Sequence, residues 1–194
     1  MKLSSQWKIL NRDQRHAWNA WAKSNPVLLD NGSFRRVSGH KAMTMVLRNR
    51  TVTGEAASPA VVPAAAAWLD GSLSLRDAGP YTRNAGYVGF RVEAALSAGT
   101  KWFVWATPPL DGGEVNPWRH LKFVKCLTLG VLAYDDVIPT FGADYLAVNG
   151  DWRGPGVDGV WPADKFIWFR LHHYANGQLS PGVMMPHNII AEEL

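Results

Sequence analysis

The sequence predicts an α+β chain built by modules: a short N-terminal helical pair followed by an antiparallel all-β sandwich. Three observations carry this expectation. Apolar residues recur at helical spacing up to about residue 50, whereas after residue 67 they alternate in short runs broken by Gly, Pro, Asn and Asp. An Ala/Pro-rich stretch, residues 54–67, separates the two patterns. Charge divides in the same region: residues 1–50 hold ten Lys/Arg against two Asp, a net +8, and residues 51–194 hold ten against fourteen Asp/Glu, a net −4. The expected organisation is therefore a basic helical module over 1–53, a connector over 54–67 and a sandwich over 68–194.

The first helix is expected to start after Asn11. Asn is a good N-cap, and Gln14 three residues later can return a hydrogen bond as in a capping box. Trp18, Trp21 and Ala22 then share one face with Gln14 beside them, while Arg12, His16, Asn19 and Lys23 point away. Asn25-Pro26 ends the helix, because a residue before proline avoids helical dihedrals. A turn is expected at Asp30-Asn31-Gly32. The second helix is capped by Ser38 and runs to about Arg50, with Met43, Val46 and Leu47 as its stripe, Lys41, Thr44 and Arg48 outward, and Gly54 as its stop. Two short helices bury little alone, so the Trp18/Trp21 face must pack on the second helix, on the other module or on a neighbouring subunit.

Residues 54–67 carry two prolines and read as an extended connection lying along the second module or, second, as a buried irregular segment. Strands are expected at 86–94, 100–106, 121–129, around 144–148, at 165–174 and at roughly 182–190. In 121–129, Leu121, Phe123, Lys125 and Leu127 oppose Lys122, Val124 and Cys126, an imperfect alternation that leaves the buried face undecided. Ala175-Asn176-Gly177-Gln178 reads as a hairpin turn.

Two stretches carry a resemblance. Trp102 to Gly113, with a tryptophan strand, prolines and Asp-Gly, resembles the early strand and loop of a fibronectin type III domain. Phe166 to Pro181, an alternating strand, a Gly-containing turn and Ser-Pro, resembles that family's last hairpin. The resemblance implies a fibronectin type III or immunoglobulin-like sandwich with Trp105 in its core, and it implies no particular task. The long segment 149–163 departs from the family's pattern. More loosely, the order Gln14 to Ala22, Arg36 to Ala42, then a sandwich is similar to uncharacterised phage and environmental-bacterial proteins, which implies a virion component ahead of an enzyme.

Composition narrows the function classes. A lone Cys126 supplies neither an intrachain disulfide framework nor a Cys-based zinc site. The chain has no apolar run of membrane-spanning length, and its first residues lack the apolar core of a secretory signal. The six histidines have no ligand spacing, and His172 and His173, adjacent on an expected strand, point to opposite faces. Asp135-Asp136 reads as a loop entry, and no nucleophile elbow, phosphate-binding loop or dinucleotide fingerprint occurs. Catalytic residues, metal ligands and cofactors are accordingly expected to be none.

The candidate residues are instead interaction residues: Trp18, Trp21, Arg35, Arg36, Trp118, Trp152, Arg153 and Trp161. Trp152, Arg153 and Trp161 sit in the long Gly/Pro-rich loop, which reads either as a contact loop or as a lid over one end of the sandwich. The expectation is a structural subunit of a virion, located in the virion, with other assembly subunits or further copies of itself as partners. A carbohydrate-binding module using Trp152 or Trp161 is the alternative, and so is a DNA-binding accessory using the basic helices. Nucleic acid ranks below protein as a partner.

Overall fold

Asn11 caps a helix by the expected route: its side chain accepts from the Gln14 amide at 2.8 Å, and the Gln14 side chain accepts from the Asn11 amide at 3.0 Å. That helix belongs to a computed structural model that describes residues 3–28, 33–66, 75–76, 91–92, 98–128, 130, 142–149, 165–181 and 183–189. The architecture is mixed α+β, with helices and an antiparallel sheet. It divides into two compact units, residues 1–69 with 173–181, and residues 70–172 with 182–194. The expected linear modules differ from this division chiefly in that the hairpin 173–181 groups with the first unit. The expected strand 86–94 and turn 30–32 lie wholly or mostly outside the described residues, apart from Arg91–Val92.

Among the described residues the first unit holds three helices where the sequence predicts two: α1 (Leu3–Ile9), α2 (Arg12–Ser24) and α3 (Gly39–Val52), with strands β1 (Val27–Leu28) and β2 (Phe34–Arg35) pairing antiparallel between α2 and α3. Helix α2 stops at Asn25, before Pro26, and α3 starts at the cap Ser38, whose hydroxyl accepts from the Lys41 amide. Gly54, at φ +74, follows the C-cap Thr53. Trp18, Leu10, Met43, Val46 and Leu47 form one buried cluster, and Ala22, Val27 and Ala42 another. Sealing Met43, Val46 and Leu47 is worth about 1.5–3 kcal/mol each before chain entropy is counted. Gly39 permits the α2–α3 crossing, because a Cβ there would lie 2.7–2.8 Å from backbone atoms of Trp18 and Asn19.

Residues 54–66 close the first unit: Ala57 and Val62 pack on the Trp18 cluster, and the Trp18 indole donates to the Pro59 carbonyl at 2.8 Å. From the far end of the chain, the Gln178 amide donates to the Ala64 carbonyl and the Tyr174 hydroxyl to Glu55 at 2.6 Å. The Asn49 amide donates to the Gly177 carbonyl at 2.9 Å. Asn176 and Gly177 (φ 52 and 84) form the expected two-residue hairpin turn.

The second unit contains strands β3 (Leu75–Arg76) and β4 (Arg91–Val92), which pair antiparallel, then β5 (Lys101–Ala106), β6 (Leu110–Asp111) and β7 (Lys122–Thr128). Helix α4 (Gly142–Asn149) follows, then β8 (Lys165–Ala175), β9 (Gln178–Leu179) and β10 (Val183–Ile189). The main sheet runs β10-β8-β5-β7, with β6 and β9 pairing to β8; β9 and the end of β8 from His173 belong to the first unit. The β10–β8 and β5–β7 pairs are antiparallel.

The expected strand at 144–148 is helix α4. Its first-turn Asp144 and a run rich in Ala and Leu suit a helix, and eight residues are too few for apolar spacing to decide. The helix packs on one sheet face: Lys125 pairs with Asp144 at 2.7 Å, the Lys122 ammonium donates to the Val148 carbonyl, and the buried Tyr145 hydroxyl donates to the Thr107 carbonyl at 2.8 Å. Burial pushes the Tyr145 hydroxyl pKa well up. The imperfect alternation in β7 has a structural cause. Pairing steps from Val104↔Lys125 to Trp105↔Phe123, so Val124 is bulged and is buried together with Leu127, three residues away. The opposite face carries an aromatic cluster in which Trp105 meets Phe123 at 5.3 Å and the buried His172 edge-on at 4.9 Å. Trp105 is half-buried there.

Candidate functional site

Among the described residues, the loop after β6 combines exposure with a fixed geometry. Leu110 and Asp111 are anchored by pairing with Phe166 and Lys165 of β8, and the Lys165 ammonium pairs with the Asp111 carboxylate. Gly112 then passes over Phe166, where a Cβ would come within 2.9 Å of the ring. The chain turns back as the Glu114 amide donates to the Asp111 carbonyl at 3.0 Å. Glu114 in turn accepts from the Asn116 amide at 3.0 Å, and its other carboxylate oxygen stands 3.7 Å from His120 Nε2.

Pro117 opens a single 3-10 turn, Pro117–His120, as its fixed φ and missing N–H allow, and it is buried. The Trp118 indole N–H donates to the Asn116 side chain at 3.1 Å, which uses its polar edge locally and sets the ring's direction. The outcome is an apolar tip on a hydrogen-bonded frame: Trp118 is 50% exposed and Val115 80%. Chemically the loop offers flat aromatic area and an aliphatic neighbour, which suits desolvation against another surface.

The other candidates are placed as follows. Trp18 is 1% exposed and belongs to the core of the first unit, which removes it from any contact surface. Its partner Trp21 is half-buried and meets it edge-on at 5.7 Å. Arg35 and Arg36 are exposed. Trp152, Arg153 and Trp161 lie outside the described residues. Val115 was missed by sequence reasoning; an isolated valine between Glu114 and Asn116-Pro117 was its signal.

A crevice in the first unit, lined by Pro26, Met45, Val46, Asn49 and Gln178, has room for about one water molecule. Close by in sequence, burial pushes the Tyr174 hydroxyl up to about 12, with its hydrogen bond to Glu55 adding to the shift. Burial holds His173 below its ordinary value. Among the described residues no cluster of three or more His, Cys, Asp or Glu could hold a metal, and no helix is long and apolar enough to cross a membrane. No protein-family description, curated protein or solved structure matches the chain.

Proposed function

We propose that the chain is a non-enzymatic structural subunit of a larger protein assembly, a phage virion component of the head, neck or tail, acting through protein–protein contacts with further copies of itself. The observation that supports this reading is the Trp118 loop. A tryptophan half open to water, with its N–H already bonded inside the loop, gains by being covered and loses no hydrogen bond in the process. Tryptophan anchors of this kind are typically worth about 2 kcal/mol or more at an interface, and symmetry repeats the gain at every contact. The virion setting rests on the loose likeness of the tryptophan- and arginine-bearing N-terminal segments to phage proteins.

For the second unit the finer proposal is a fibronectin type III or immunoglobulin-like sandwich, supported by its antiparallel sheet. A solved structure in which a helix alone covers that sheet would replace it with an α+β layer. The functional test is mass in solution. The wild-type chain should sediment above 21.4 kDa as concentration rises, and Trp118→Ser should return it to that mass with an unchanged circular-dichroism spectrum. A wild-type chain that stays at 21.4 kDa at every concentration would overturn the proposal.

A further inference from the structure

Charge in this protein segregates by folded unit. Residues 1–69 with 173–181 hold ten Lys/Arg against three Asp/Glu, a net +7, while the remainder holds ten against thirteen, a net −3. The segments that complete the first unit add no cation. They add one carboxylate, Glu55, and that group is engaged by the Tyr174 hydroxyl.

What the basic unit can bind is limited by what it has buried. The apolar stripes of α2 and α3 face each other, with Trp18, Met43, Val46 and Leu47 all at 1% exposure or less. Among the described residues, its exposed large apolar side chains, Ile9, Val52 and Val61, lie on three separate segments. Exposed positions of this unit include Arg12 and Lys23 of α2, Arg35 and Arg36 at β2, and Lys41 and Arg48 two turns apart on α3. Insertion into a lipid surface calls for an exposed apolar helix face, which α2 and α3 have used internally. Four of these six cations are arginines, whose planar guanidinium suits phosphate oxygens, and they spread over two helices and a strand end rather than converging on one point. A spread of cations fits an extended polyanion better than a compact one.

We propose that the first unit is a sequence-independent docking surface for the phosphate backbone of double-stranded nucleic acid, contacted by Arg12, Lys23, Arg35, Arg36, Lys41 and Arg48. The inference is separate from the assembly reading, which rests on the Trp118 loop of the other unit. Six neutralised phosphates give a slope of log affinity against log salt near −5, a loss of about a thousandfold between roughly 50 and 200 mM salt.

The experiment measures anisotropy of a labelled random-sequence duplex of about 20 base pairs against the full chain across that salt range. The variant Arg35→Gln/Arg36→Gln/Lys41→Gln, all at exposed positions, should cut the salt-driven loss to about fortyfold. The exposed Arg119→Gln, in the second unit, should leave the wild-type slope unchanged. Trp118→Ser should also retain duplex binding, so failure of the assembly reading and failure of this one give different results. No binding at the lowest salt, an unaltered slope in the triple variant, or tighter binding to polyglutamate or to anionic vesicles than to the duplex would overturn the proposal.

Discussion

Gly177→Ala tests the packing of the first unit at one atom. Gly177 stands at φ +84, where a Cβ crowds its own backbone at a cost of about 1–2 kcal/mol. The added carbon would also sit 2.6 Å from Val46 Cγ1 and 3.3 Å from the Val46 carbonyl oxygen. Val46 is 1% exposed inside the core, so it has little room to give, and overpacking of this kind costs about 1–3 kcal/mol more. The expected loss is about 2–5 kcal/mol, with further weakening of the Asn49–Gly177 hydrogen bond if the turn shifts. Urea unfolding followed by far-UV circular dichroism reads it, since three of the four described helices belong to this unit. Val46→Ala removes the obstructing methyl group. In a double-mutant cycle it should therefore restore about 1–2 kcal/mol relative to additivity. A Gly177→Ala protein within about 0.5 kcal/mol of wild type, or a double variant that is merely additive, would refute the reasoning.

Two further outcomes follow from the same unit. Trp18→Phe keeps an aromatic ring but removes the donor to the Pro59 carbonyl, and it should cost about 1–3 kcal/mol in urea unfolding, with protease cutting within 55–66 as a second readout. The folded state holds the His173 pKa below its ordinary 6.5, so the unfolded chain binds more protons at mildly acid pH. Stability from this residue is present above pH 6.5 and falls as pH drops below it; Tm measured across that range should decline, and His173→Gln should flatten the decline.

Helix α2 was legible because its signals are local. The Asn11/Gln14 box, the Trp18–Ala22 face and Pro26 all lie within one short window, as do Ser38 and the stripe of α3. The Asn176-Gly177 turn was readable for the same reason. Features set by distant partners were not. Nothing near Asn49 announces that it will bond Gly177 from 128 positions away, nor does Pro59 announce the Trp18 indole. For α4, a short segment bearing Tyr145, Leu146 and Val148 reads equally as a strand, and the choice falls to its packing on β7. The β7 bulge hid the buried face because Val124 and Leu127 sit at an odd spacing that only the pairing with β5 explains. Trp118 was picked out by residue type and by its place at the end of a Pro/Gly-rich loop, 108–118. Its exposure goes with the Asn116–Glu114 and Trp118–Asn116 hydrogen bonds, which no periodicity encodes.

Photo-crosslinking from the loop tip probes the assembly reading at its point of contact. With p-benzoylphenylalanine in place of Trp118, illumination of the purified chain should give bands at twice 21.4 kDa and above, while the same group in place of the exposed Ile9 in the first unit should give none. Bands confined to 21.4 kDa at position 118, at concentrations where the chain is abundant, would contradict the account.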